Sequence, residues 1–334
     1  MLAGPRPTVV GATMAVVGVT ALALAQLVAV VAGPAGDGPG GSGGVGEGIG
    51  RGVARDVDVY AGQGAWVDVY DFVPHALATS TSEVRAAVDI DDLDAMAAAG
   101  VRTLYLQAAF DDGGEPDVVD HEAVGAFLVG AHERGLRVVG WYLPRFTDVD
   151  RDLAHLRAVA DFEADGHRFD GLAVDIEWTD GVTDPDERSA RLVDLSRRLA
   201  RDAGAHALGA IVLPPVQTDV VNPGLWPDFP WRDLARYYDV WLPMGYWTER
   251  RADSGYRNSA AYTGQNVERL RRHLGDPEAD VHPIGGIADD TTAADLAGFV
   301  AQLGATGAIG GSVYDWATLD GPKRRQIAAA FPLP

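Results

Sequence analysis

Cysteine is absent from the 334-residue chain. That excludes disulfides, thiolate metal sites, a cysteine nucleophile and a lipid anchor attached through cysteine. Lysine is nearly as scarce: Lys323 is the only one, and every other basic residue is an arginine. The basic residues number 27 against 48 acidic ones, a net charge of −21. A field of that sign repels phosphate backbones, so nucleic acid is not an expected partner, whereas a neutral or cationic ligand fits. The same charge also serves simply to keep a protein soluble. Also missing are a phosphate-cradling G-x-x-x-x-G-K-[ST] loop, a G-x-S-x-G nucleophile elbow at a strand end, and any H-x-H or H-E-x-x-H pair among the eight histidines. Nucleotide hydrolysis, serine-esterase chemistry and a histidine-built metal centre lose their usual signatures with them. No cofactor and no metal are expected.

Charge is missing locally as well. From Val9 to Ala32 there is none, and only Thr13, Thr20 and Gln26 are clearly polar. That run is longer than a signal-peptide core needs and long enough to span a bilayer. Ala23-Leu24-Ala25 offers a signal-peptidase site, so residues 1–32 read as a signal peptide or a transmembrane anchor. Arg6 is the only basic residue before Arg51, which keeps the N-terminus cytoplasmic and the rest outside. Residues 33–52 are about half glycine and cannot bury enough surface to offset their chain entropy, so they read as a flexible linker. The expected membrane contact is through the N-terminal segment alone, if it is uncleaved, with the remaining domain secreted or anchored outside the cell.

Residues 53–334 match one domain of the size that a (β/α)₈ barrel requires, about 250 residues. Short apolar runs alternate there with amphipathic stretches. Strands are expected at 65–72, 101–108, 136–143, 169–177, 206–213, 238–246, 281–287 and 308–315. Helices are expected at 91–99, 121–134, 149–164, 185–203, 267–274, 292–303 and 323–330. Gly100, Gly135, Gly204 and Gly304 stand where helix C-caps feed the next strand. Eight strand–helix repeats imply a parallel sheet closed into a barrel of the α/β class, the (β/α)₈ or TIM barrel. The competing fold, an open doubly wound sheet, would want a Gly-rich loop after its first strand, and VYDFVPHA has none.

Barrel chemistry sits at the C-terminal ends of the strands. The first ends in Tyr70-Asp71, the second in Gln107, the third in Trp141-Tyr142 and the fourth in Asp175-Ile176-Glu177-Trp178. The sixth ends in Met244-Gly245-Tyr246-Trp247 and the eighth in Tyr314-Asp315-Trp316. Period-two alternation puts Ala173, Asp175 and Glu177 on one face and Leu172, Val174 and Ile176 on the other. The apolar row belongs against the helices, which aims both carboxylates into the barrel mouth. Two such acids repel, and the repulsion raises one pKa so that a carboxylic acid survives near neutral pH. A proton donor to a glycosidic oxygen needs that property. An ion pair with Arg145 or another arginine is the competing structural role. The tryptophans grouped at strand ends (Trp141, Trp178, Trp247 and Trp316) suit the C–H faces of sugar rings, and equally suit a core.

The run FDGLAVDIE resembles the fourth-strand motif D-x-x-D-x-D-x-E of family 18 glycoside hydrolases, the chitinase type. Asp170, Asp175 and Glu177 match in register, and Ala173 replaces the inner Asp. Met244-Gly245-Tyr246 resembles the family's sixth-strand M-x-Y, with Trp247 in place of the usual Asp or Asn. Trp316 resembles the tryptophan that floors the sugar site. The resemblance implies Glu177 as general acid, Asp175 orienting the substrate's N-acetyl group, and Tyr246 steadying the oxazolinium formed by the acetamido oxygen. It implies a carbohydrate partner, and a substrate site drawn from Asp71, Gln107, Tyr142, Trp178, Met244, Trp247, Tyr314 and Trp316. The seventh strand carries no Glu, against barrels that place acid and nucleophile on strands four and seven. The first strand and FDGLAVD are also similar to galactosaminidase-type barrels, and VDIE to muramidases. The expected function is an exported glycoside hydrolase that acts on a cell-wall or extracellular glycan or aminoglycan by general acid catalysis from Glu177. The alternative is a glycan-binding barrel without catalysis, which Ala173 favours and the retained Asp175–Glu177 pair opposes.

Overall fold

The computed structural model of the protein describes residues 55–73 and 87–330. The apolar stretch 9–32 and the linker 33–52 lie outside the described residues. Among the described ones, no helix is long and apolar enough to cross a membrane.

Eight strands form the barrel: β1 (Gly62–Val67), β2 (Thr103–Gln107), β3 (Arg137–Tyr142), β4 (Gly171–Ile176), β5 (Ala207–Val212), β6 (Val240–Gly245), β7 (Ile284–Ile287) and β8 (Gly310–Tyr314). Each lies parallel to its neighbours, and β8 closes onto β1 with Gly62 opposite Gly310 and Ala65 opposite Val313. The helices that return the chain are α1 (Asp92–Ala98), α2 (His121–Glu133), α3 (Val149–Asp161), α4 (Pro185–Asp202), α5 (Trp231–Leu234), α6 (Ser259–Leu274), α7 (Ala293–Thr306) and α8 (Gly321–Ala330). The architecture is the (β/α)₈ barrel that the strand–helix repeat implies. Part of the acidic excess is spent on it locally. Asp120, Asp148 and Asp184 accept backbone N–H groups at the starts of α2, α3 and α4, where a carboxylate also meets the positive end of the helix dipole.

The barrel interior is filled from below. A 3₁₀ turn, Val57–Tyr60, plugs the N-terminal end. It places the Tyr60 hydroxyl 2.6 Å from the Leu172 carbonyl and 3.1 Å from that of Ala207. Gly209 makes room, since a Cβ there would lie 2.8 Å from the Tyr60 ring. Above it Trp66 stacks on Tyr105 at 4.3 Å and donates its indole N–H to Ser312 Oγ at 2.8 Å. His282 lies 3.0 Å from that hydroxyl through Nε2 and 2.7 Å from the Tyr60 carbonyl through Nδ1. Burial lowers the His282 pKa to about 4, so the ring is neutral. Its single proton belongs on Nδ1, facing the carbonyl, and Nε2 accepts from Ser312. This closed relay is the floor of the site.

Four local expectations are corrected. The first strand begins at Gly62 and stops at Val67, and Val69–Phe72 is a helical turn. Asp68 caps that turn and Asp71 accepts the Asp68 N–H at 3.1 Å, a reciprocal box that outcompetes the strand ladder. The helix expected to run to Ala164 ends at Asp161, because Asp165 and Gly166 take positive φ (49° and 82°) and turn a hairpin of Glu163–Ala164 and His167–Arg168. α7 passes through Gly304 and is capped by Gly307 at φ 62°. α6 begins at Ser259, eight residues earlier than its apolar pattern indicates, because Asn258 accepts the Ala261 N–H and starts it there.

Candidate active site

β4 delivers the two central carboxylates. A Cβ on Gly171 would meet Tyr60 inside the barrel, so Ala173, Asp175 and Glu177 above it face the same interior. Asp175 is 6% exposed and Glu177 9%. No cation among the described residues offsets them. Burial, then the neighbouring Glu177 charge, hold Asp175 well above the usual carboxylate range. Burial raises Glu177 to about 7. Near neutral pH the pair therefore retains a proton, which belongs to both groups together. Asp175 Oδ1 is buried and meets no hydrogen-bond partner.

β6 brings Tyr246 beside this pair, and β8 brings Tyr314 beside Tyr246. Leu242 points inward, 2.9 Å from where a Gly209 Cβ would stand, so Met244 and Tyr246 continue the inward row. Burial raises the Tyr246 hydroxyl far above its ordinary value, and the charges of Glu177, Asp175 and Asp315 add to it. Tyr314 lies 6.2 Å from Tyr246, ring to ring, and donates its hydroxyl to Asp68 Oδ2 at 2.6 Å. Asp68, Asp71 and Asp315 offer oxygens within 4.8 Å of one another, a donor set of the kind that hard cations take. Protonation relieves the same repulsion. Burial and then the Asp68 and Asp315 charges raise Asp71 to about 8, and burial raises Asp315 to about 6.

The other expected residues divide into those at the mouth and those that are not. Gln107 faces inward and accepts the Val69 N–H at 3.0 Å, fixing the turn that carries Asp68 and Asp71. Trp178 is half-buried on the rim with the Arg145 guanidinium 5.2 Å above its ring. That guanidinium, weighed above as an ion-pair partner of the acids, pairs instead with Asp111 at 4.0 Å. Three aromatic assignments are corrected. Tyr142 points away from the barrel axis, donating to Asp152 at 2.8 Å and stacking on His155. Trp247 is fully buried against Phe299 and Gly285, outside the barrel wall. Trp316 is 1% exposed, its ring covered by Arg324 at 4.1 Å and its N–H 3.3 Å from Asp92 Oδ1. None of the three has a free face for a sugar.

One residue was missed, Asp68, and the choice between Trp141 and Tyr142 is reversed. Asp68 is the inward residue two beyond Trp66 in strand alternation, a signal hidden by extending the first strand to Phe72. Trp141, not Tyr142, is the inward member of its pair: it meets Trp66 at 5.9 Å, and its buried indole N–H has no partner. Tyr70 and Phe110, in edge contact at 5.9 Å, add apolar surface to the rim. A separate cavity of about 270 Å³ lies to one side, lined by Val69, Val73, Phe110, Asp112, Glu115, Asp117, Val118, Val119 and His155. It contains neither central carboxylate, so the proton chemistry does not sit there.

No protein-family model matches the sequence, and no curated protein does. Solved structures do match. A class V chitinase from Nicotiana tobaccum has 10% identity and a TM-score of 0.55, over 82% of this chain and 99% of that one. A chitinase from Chromobacterium violaceum has 13% identity and a TM-score of 0.52, over 82% and 100%. A chitinase-like agglutinin from Robinia pseudoacacia has 10% identity and a TM-score of 0.53, over 80% and 99%. At these identities the likeness is one of fold, and the chain accordingly has the fold of the chitinase-type (β/α)₈ barrels.

Proposed function

We propose that the protein is a glycoside hydrolase of an N-acetylated aminoglycan, with Glu177 as its general acid. The observation that carries the reading is the buried Asp175–Glu177 pair at the end of β4, free of any ion-pair partner among the described residues and holding a proton near neutral pH. Glu177 donates its proton to the glycosidic oxygen as the C–O bond breaks. The substrate's own acetamido oxygen closes onto the anomeric carbon, oriented by Asp175 and steadied by the Tyr246 hydroxyl. Water then opens the oxazolinium, and its proton returns to Glu177. No second catalytic carboxylate from another strand is required. The N-terminal apolar run and Gly-rich linker in the sequence support a location outside the cell, on extracellular or cell-wall glycan.

Reducing-end release from chitin oligomers, peptidoglycan and partly deacetylated hexosamine polymers tests the proposal. Release from at least one of them supports it. Binding without release from any supports a second reading, a glycan receptor on the same fold. Ala173, standing where the chitinase-type motif has its inner Asp, favours that reading, and one of the barrels of similar fold is described as an agglutinin.

A further inference from the structure

The barrel mouth has a second acidic face, away from the Asp175–Glu177 pair. β8 stands opposite β4 in the closed eight-stranded sheet. There Asp68, Asp71 and Asp315 bring carboxylate oxygens within 4.8 Å of one another. Asp71 and Asp315 are buried and Asp68 is half-buried. Their bonds go to the Tyr70, Asp68 and Thr318 N–H groups and to the Tyr314 hydroxyl. No cation among the described residues pairs with them. Three carboxylates this close repel unless protons or a cation stand between them. Tyr246 joins the two halves of the mouth, since its hydroxyl feels the charges of Glu177, Asp175 and Asp315 together.

A buried donor in the same mouth has no partner. Trp141 points inward and is 4% exposed, and its indole N–H meets no acceptor. A chain of contacts ties it to the three carboxylates. Its ring lies 5.9 Å from Trp66, Trp66 lies 6.5 Å from the Tyr314 ring, and the Tyr314 hydroxyl bonds Asp68. Trp141 is also in register with Gln107, which accepts the Val69 N–H next to Asp68. On its other side the residues in register are Ala173 and Gly209, so those inward positions carry no more than a methyl group. A bare metal ion would answer the carboxylates and leave the indole N–H without an acceptor. A protonated amino sugar answers both: its ammonium donates to the carboxylates, and a hydroxyl or ring oxygen accepts from Trp141.

We propose that Asp68, Asp71 and Asp315 form a subsite for the ammonium group of a free hexosamine unit. The glycan taken is then partly deacetylated, with an N-acetylated unit at Glu177 and a free amine toward β8. The inference rests on the glycan reading of this mouth and narrows its substrate class.

Calorimetric titration of the full chain with two glucosamine oligomers of equal length tests it, one fully N-acetylated and one partly deacetylated. The pH is kept mildly acidic, so that the free amines are charged. The partly deacetylated oligomer should bind roughly ten- to a hundredfold more tightly, the range that charge-assisted hydrogen bonds give. Asp315→Asn keeps an acceptor for Thr318 and removes the charge, and should erase that preference. Equal affinity for the two oligomers in the wild type would overturn the proposal, and that comparison needs no variant. A preference that persists in Asp315→Asn would also overturn it. So would calcium chloride alone binding to the wild type and not to Asp315→Asn, which would make the three carboxylates a metal site. Binding is read here, not bond cleavage, so the two readings fail separately. Preference without product release keeps the subsite and rejects the hydrolase, and release from the acetylated oligomer without preference does the reverse.

Discussion

Replacing Glu177 by Gln should stabilise the protein, and only above mildly acidic pH. Glutamine keeps the shape and removes a charge that burial resists. Glu177 holds its proton to about 7 in the fold against an ordinary 4.5. That separation corresponds to about 3 kcal/mol of stability withheld from the wild type once the group ionises. The sign follows from the raised value. Below about pH 4 the side chain is neutral in both folded and unfolded chains, so the variant and wild type should match. As pH rises from 4.5 toward 7 the unfolded chain releases its proton first, and wild-type stability falls relative to the variant. Above about 7 the gap should be constant, equivalent to roughly 6–12 °C in Tm for a domain of this size. Asp175 adds to the gap in the same direction, because the Glu177 charge is the second cause of its own raised pKa. Urea unfolding of both proteins at several values between pH 4 and 9 measures it. A gap of the same size at every pH, or none at pH 8, would refute the claim that Glu177 is held against ionisation.

Two further substitutions separate the mouth from the core. Tyr314→Phe removes the 2.6 Å hydrogen bond to Asp68 and leaves a half-buried carboxylate short of a donor. Stability near pH 7 should fall by about 1–3 kcal/mol, and less at pH 4, where Asp68 is closer to neutral; a loss that does not change with pH counts against a bond to the charged form. Trp316→Ala should cost about 3–5 kcal/mol as a core truncation, with the glycan affinity of the folded fraction unchanged. Weakened binding at unchanged stability would return Trp316 to the sugar site.

The strand–helix alternation was legible because each barrel strand is short, apolar and followed by a capped helix, so periodicity and turn residues agree. Asp175 and Glu177 were legible for the same reason: in a strand buried on both faces, a carboxylate at every second position can only face the mouth. Legibility failed where one residue of register decides a face. Tyr142 follows an inward Trp141 and therefore points outward to Asp152. Trp247 and Trp316 stand past the last strand residue, where alternation no longer applies, and tertiary packing buries them under Phe299 and Arg324. Asp68 was hidden because VDVYDF alternates like a strand, while the reciprocal capping of Asp68 and Asp71 turns it into a helix.

Product release and glycan affinity, compared between wild type and Glu177→Gln on the same glycan panel, test the role of Glu177 directly. The proton-donor reading predicts turnover in the wild type, its loss in the variant, and nearly equal affinity in both. Turnover that survives unchanged in Glu177→Gln would contradict it.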